Sequence, residues 1–293
     1  MHRPCLVLFI FLTTMLPSLG HSAEKPLKTF ILAGQSNMVG YGDSKQLPDE
    51  LRNGNPRVLM FEQEKWQPLK PLKPATAGQR PLGLTEFTFG PEIAFGHEMG
   101  KAWPNETIGI IKYAIGGTSL LAWKPNWSKE DADRVGQGKL GSLYKKLMEK
   151  IAQAKKAREI EIIGFVWVQG GGDMQKVDVA KEYLANLKAF VAAVRKDLGI
   201  ADLPFLYSSP REGDVPDDVS GLMPKLREGP YPAAEWVVKA QFDAQKEIPN
   251  SKMVILRDIE KHPQNVHYNT AGQLKVGKLL AEAFLEYVDK SKQ

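Results

Sequence analysis

Cysteine is almost absent from this chain: Cys5 is the only one, and it lies in an N-terminal stretch that reads as a targeting segment. Disulfides, cysteine-ligated metals and cysteine nucleophiles are therefore excluded from the remainder. Histidine is scarce as well, because two of the five (His2 and His21) fall in the same stretch, leaving His97, His262 and His267. With so few imidazoles and no thiols, no metal-ligand cluster is in view, and the reading calls for no metal and no cofactor. The Gly-x-Gly-x-x-Gly run at 136–141 follows no strand-like run, and no complete Gly-x-x-x-x-Gly-Lys-Ser/Thr pattern occurs, so the familiar nucleotide fingerprints are not met. Long apolar runs are missing too. The run from Leu6 to Phe11 is too short to cross a bilayer, so no membrane span is expected in the mature chain.

That run belongs to "MHRPCLVLFIFLTTMLPSLGHSA", with Arg3 near its start and small residues at Ser22 and Ala23. This is the layout of a secretory signal peptide over residues 1–23. It predicts a secreted or periplasmic protein whose mature part, residues 24–293, forms one domain. Two glycosylation sequons begin at Asn105 and Asn126. A formal charge of +5 is a weak argument for an acidic partner. The densest basic stretch, from Tyr144, spaces Leu147, Ile151 and Ala154 on one helical face with lysines on the other. It reads as a solvated helix face rather than a nucleic-acid patch.

Short apolar runs at 29–33, 107–113, 160–168, 203–207 and 253–256 read as strands buried on both faces. Helical patterns alternate with them at 91–101, 140–157, 179–198, 233–247 and 271–288. Such alternation predicts a parallel sheet with helices on both faces. Two Pro/Gly-rich stretches, 43–89 and 208–232, read as functional excursions, the first with a weak strand signal at 58–61.

Ligands of open parallel sheets bind beyond the carboxyl ends of the strands. There the first strand gives Gly34-Gln35-Ser36-Asn37-Met38 and the second Gly116-Gly117-Thr118-Ser119. The third gives Gln169-Gly170-Gly171-Gly172-Asp173, and the last runs into Asp258, His262 and His267. A serine becomes a nucleophile when a base takes its proton and donors hold the oxyanion. Ser36 has candidate bases in His262 and His267, whereas His97 falls mid-helix. Backbone N–H groups of Ser36 and of the Gly116-Gly117 pair, with the Gln169 amide, are candidate oxyanion donors. Asn37 and Trp127 are candidate substrate contacts, with Trp103 and Trp123 as further sugar platforms or core residues.

The stretches "GQSNM", "GGTSLLAW", "WVQGGGD" and "NVHYNTAGQLKVG" resemble the sialate O-acetylesterase-like family, related to carbohydrate esterase family six in the SGNH hydrolase superfamily. The resemblance runs from about residue 27 to 287. It implies a flavodoxin-like three-layer α/β/α sandwich with a central parallel sheet, and ester hydrolysis that removes acetyl groups from a sugar. By position it implies Ser36 as nucleophile, His267 as base, and Gly117 and Gln169 as oxyanion donors. Two family carboxylates are absent. Gly171 replaces the glutamate of a Gln-Gly-Glu-x-Asp pattern, and Gln264 replaces the aspartate three residues before the histidine. Asp173 keeps its family position and is the candidate acid. Two readings follow: a secreted serine esterase acting on an acetylated polysaccharide or sialic acid type substrate, or an impaired esterase-fold protein that binds carbohydrate.

Overall fold

The computed structural model describes residues 25–209 and 231–290, so the expected signal peptide and most of the second excursion lie outside the described residues. Seven strands form the main sheet: β1 (Leu27–Gly34), β2 (Asn55–Glu62), β3 (Lys65–Leu69), β4 (Ile108–Ala114), β5 (Ile160–Val168), β6 (Phe205–Ser209) and β7 (Ser251–Ile255). Their spatial order is β7-β6-β5-β1-β4-β2-β3. Every neighbouring pair is parallel except the β2–β3 hairpin. Five longer helices cover the sheet: α1 (Glu92–Ala102), α2 (Leu143–Ala157), α3 (Tyr183–Leu198), α4 (Ala234–Glu247) and α5 (Thr270–Lys290).

Side chains alternate across each strand, so one apolar run supplies two cores. Ile31, Ala33, Ile111, Phe165 and Trp167 pack with α2, α3 and α4 on one face. Phe30, Leu32, Ile110, Val166 and Val168 pack with α1 and α5 on the other. This is the three-layer α/β/α arrangement expected from the alternation. In α2 the residues Leu143, Tyr144, Leu147, Ile151 and Ala154 are buried, and the Ser142 hydroxyl caps its start by accepting the Lys145 N–H at 3.1 Å. The lysines fall on the remaining face, as amphipathic spacing requires.

Differences concentrate in the first excursion. The weak signal at 58–61 is part of an eight-residue strand, β2, which turns back into β3 through Gln63 and Glu64 at φ of 51° and 60°. Asn and Gly normally mark such a turn, and their absence here hid the hairpin. Strands Gly42–Asp43, Lys73–Pro74 and Phe87–Phe89 form a second, antiparallel sheet. The helical pattern at 179–198 divides into Val177–Lys181 and α3. Among the described residues, no helix is long and apolar enough to cross a membrane.

Candidate active site

Parallel strands bring the ends of β1, β4, β5 and β7 to one edge, and β1 sits at the middle of the sheet. Its last residue, Gly34, has φ of 148°, and a Cβ there would lie 2.1 Å from the Val168 carbonyl oxygen. Only glycine permits that approach of β1 to β5. The chain then turns: the Gln35 N–H donates to the same carbonyl at 2.9 Å, and Ser36–Val39 forms a single helical turn. Ser36 is 7% exposed, and its hydroxyl engages no described residue. Below the turn, the buried Lys112 ammonium donates to the Val39 carbonyl at 2.9 Å and lies 2.6 Å from the Glu92 carboxylate. Burial lowers its pKa to about 8, with Glu92 pulling the other way. A cation at the carboxyl end of the turn also suits its exposed carbonyls.

Asn37 ties this turn to the segment after β7. Its Oδ1 accepts the Tyr268 N–H at 3.1 Å and its Nδ2 donates to the Val266 carbonyl at 3.4 Å, on either side of His267. Its amide thus clamps the two loops while one Nδ2 N–H stays unengaged among the described residues, which leaves the expected substrate contact open to it. The His267 N–H and its ring Nδ1 both meet Asn265 Oδ1, at 3.0 and 2.7 Å. Tyr41 stacks on the imidazole with centroids 3.8 Å apart and planes 4° from parallel. His262 Nε2 lies 2.8 Å from the Tyr41 carbonyl, so it supports the stacked tyrosine. Desolvation, then the neighbouring His262, lowers the His267 pKa below the ordinary imidazole value.

The turn after β4 flanks the serine. A Cβ on Gly116 would lie 3.8 Å from Ser36 Cβ, and Gly117, at φ of 70°, has open space where its Cβ would be. Neither the Ser36 nor the Gly117 N–H donates to another backbone group among the described residues. Hydroxyl, imidazole and two free N–H groups are the parts that acyl transfer uses.

Two expected members stand elsewhere. Gln169 has no donor to spare: its Nε2 donates to the Thr118 carbonyl at 2.9 Å and to Asp173 at 2.6 Å, while its Oε1 accepts from the Tyr183 hydroxyl at 3.1 Å. Asp173, the candidate acid, is 1% exposed, and its carboxylate is taken by Gln169, the Ser119 hydroxyl (2.7 Å) and the Leu120 N–H. It makes no bond to His267. Together these two side chains hold the 118–120 turn against β5. Asp258 likewise makes no bond to the imidazole, and His97 lies in α1 near Glu50.

The tryptophans divide. Trp123 is fully buried with its indole on the Thr118 hydroxyl, so it is core, and Trp103 packs on Phe30. Trp127 lines an open groove of about 440 Å³ with Met148, Tyr144 and Asp197, a groove to which neither Ser36 nor His267 contributes. The residues that sequence reasoning missed are Asn265, Tyr41 and Gln35. Gln35 holds the Gly170 and Gly172 N–H groups on its Oε1, at 3.2 and 3.0 Å. A signal for Asn265 existed, since an Asn side chain readily accepts the N–H two residues on.

A mostly parallel sheet lies between two helical layers, with Ser36 past its central strand and His267 past its edge strand. The chain belongs to the family described as carbohydrate esterase, sialic acid-specific acetylesterase, whose model matches residues 26–286. It is 24% identical over 275 residues to a probable carbohydrate esterase of Arabidopsis thaliana, covering 89% of this chain and 91% of that protein. A solved Arabidopsis thaliana protein superposes with a TM-score of 0.66 at 22% identity, over 89% of this chain and 98% of that one. A carbohydrate acetylesterase from Xanthomonas citri gives a TM-score of 0.61 at 17% identity, over 90% of this chain and 57% of that one.

Proposed function

We propose that this chain is an exported serine esterase that removes O-acetyl groups from a carbohydrate, with Ser36 as nucleophile and His267 as base. One observation carries the reading: Asn37 locks the serine turn to both neighbours of His267 while the serine hydroxyl stays unengaged. Ser36 Oγ attacks the acetyl carbonyl as His267 Nε2 takes its proton. The Ser36 and Gly117 N–H groups hold the oxyanion. Collapse breaks the bond to the sugar oxygen, which leaves with the proton from His267. Water then attacks the acetyl-serine, passes a proton to His267, and releases acetate and the free serine. A carbohydrate substrate is supported by the family, and the sialic acid type by its description.

Hydrolysis of p-nitrophenyl acetate and of an acetylated-sugar panel tests this. Ser36→Ala and His267→Ala are each expected to lower turnover by ~10⁴ or more. A wild type no faster than Ser36→Ala on every ester would overturn it. The uncharged partner of His267 favours one second reading, a carbohydrate-binding protein on an esterase scaffold. Calorimetric binding of an acetylated glycan without its hydrolysis would select that one. Export is tested separately by the N-terminal sequence of the exported protein, expected to begin near residue 24.

A further inference from the structure

We propose that Asn265 is the positioning residue of this site, its amide oxygen fixing the His267 ring in the tautomer that a triad acid would otherwise impose. The argument begins with the backbone. The His267 N–H can only donate, so the Asn265 atom 3.0 Å from it is the acceptor oxygen and not the amide nitrogen. That same oxygen lies 2.7 Å from ring Nδ1. An acceptor there requires Nδ1 to carry the proton, which leaves the Nε2 lone pair for the serine proton. A carbonyl oxygen has two lone pairs and serves both donors at once.

Among the described residues, no carboxylate competes for the place. Asp173 is consumed by its own three partners, and position 264, where the resemblance leads one to expect an aspartate, is a glutamine at φ of 53°. The titratable groups that bear on the ring are His262, from the same loop, and Tyr41, stacked on its face. Neither is anionic in the neutral range. Amide for acid is most damaging when it imposes the wrong tautomer, which in serine proteases costs ~10⁴. Here the amide is turned the right way round, so orientation is kept and only the charge that would steady the imidazolium is missing.

The test pairs a tautomer measurement with kinetics, and its kinetic arm rests on the esterase reading above. In ¹⁵N-labelled protein above the imidazole pKa, His267 is expected to show a protonated Nδ1 and a bare Nε2, and Asn265→Ala to show mixed tautomers. A wild-type ring protonated on Nε2 would overturn the proposal whether or not the protein hydrolyses anything. In the ester assay, Asn265→Ala should lose ~10–100-fold in kcat with KM little changed. Asn265→Asp keeps the acceptor and adds charge. It should restore or exceed wild-type kcat and move the rising limb of kcat/KM to higher pH by about one unit. Alanine and aspartate variants both matching wild type in kcat and in pH profile would also overturn it. Should the alanine variant fail to fold, the aspartate variant and the wild-type spectrum still decide. Absence of activity in wild type would sink the esterase reading alone.

Discussion

Two loops at the carboxyl edge of the sheet hold apart the carboxylate and the imidazole that a Ser-His-Asp triad joins. Among the described residues, the loop after β5 holds a carboxylate, Asp173, with no imidazole on it, while the loop after β7 holds an imidazole, His267, with no carboxylate on it. The first is buried and bonded inward, so its oxygens serve the scaffold. The second is half-buried and held by an amide, a stack and a clamp from Asn37. The contrast teaches that a carboxylate is assigned by the donors that surround it, not by where it stands in a motif.

The strongest way to break this comparison is Asp173→Ala. It would strand the Ser119 hydroxyl, the Leu120 N–H and a Gln169 N–H in a buried site, and unfolding measurements should show a loss of about 3–5 kcal/mol at neutral pH. Burial also pushes the Asp173 carboxyl up to about 6, against the pull of Gln169, Ser119 and Leu120. With the folded pKa above that of the unfolded chain, the contribution of Asp173 is complete below about pH 4 and shrinks as pH rises through 6. The stability gap between wild type and Asp173→Ala should therefore narrow by about 3 kcal/mol across that window. A gap that widens with pH would contradict the assignment.

A smaller effect is expected on the other loop. Tyr41→Ala removes the ring that fixes the imidazole plane and should cost ~10-fold in kcat, with Tyr41→Phe losing less because the stack survives. Equal losses in the two would point to the hydroxyl instead. Smallest of all is Gly171→Glu, which returns a carboxylate to the β5 loop. Its Cβ would meet the Gln35 amide group, the nitrogen nearest at 3.2 Å, and melting should shift by no more than about 1 kcal/mol equivalent. A large loss would mean that this loop cannot adapt.

Much of this was legible before any coordinates. The run at 160–168 is a strand with the same bounds as β5, and the serine and histidine fall past the first and last strands of the alternation. Buried parallel strands are continuous apolar runs, and such runs are easy to see. Gln169 and Asp173 were misjudged because a donor's availability depends on what else reaches it. Thr118, Ser119 and Tyr183 reach those side chains from stretches remote in sequence. Asn265 is hard to read from sequence because a triad pattern points to acids, whereas here an amide two residues away meets the ring.

The clamp made by Asn37 has a temporal side. It joins residues 229 and 231 positions apart, so the serine turn and the histidine loop meet only after nearly the whole of the intervening chain has been made and folded. A chain that stops after the sixth strand of the sheet carries Ser36 without the imidazole of His267. Contacts of such sequence separation are among the slowest to form, and the appearance of the paired site would report the last step of folding rather than the first.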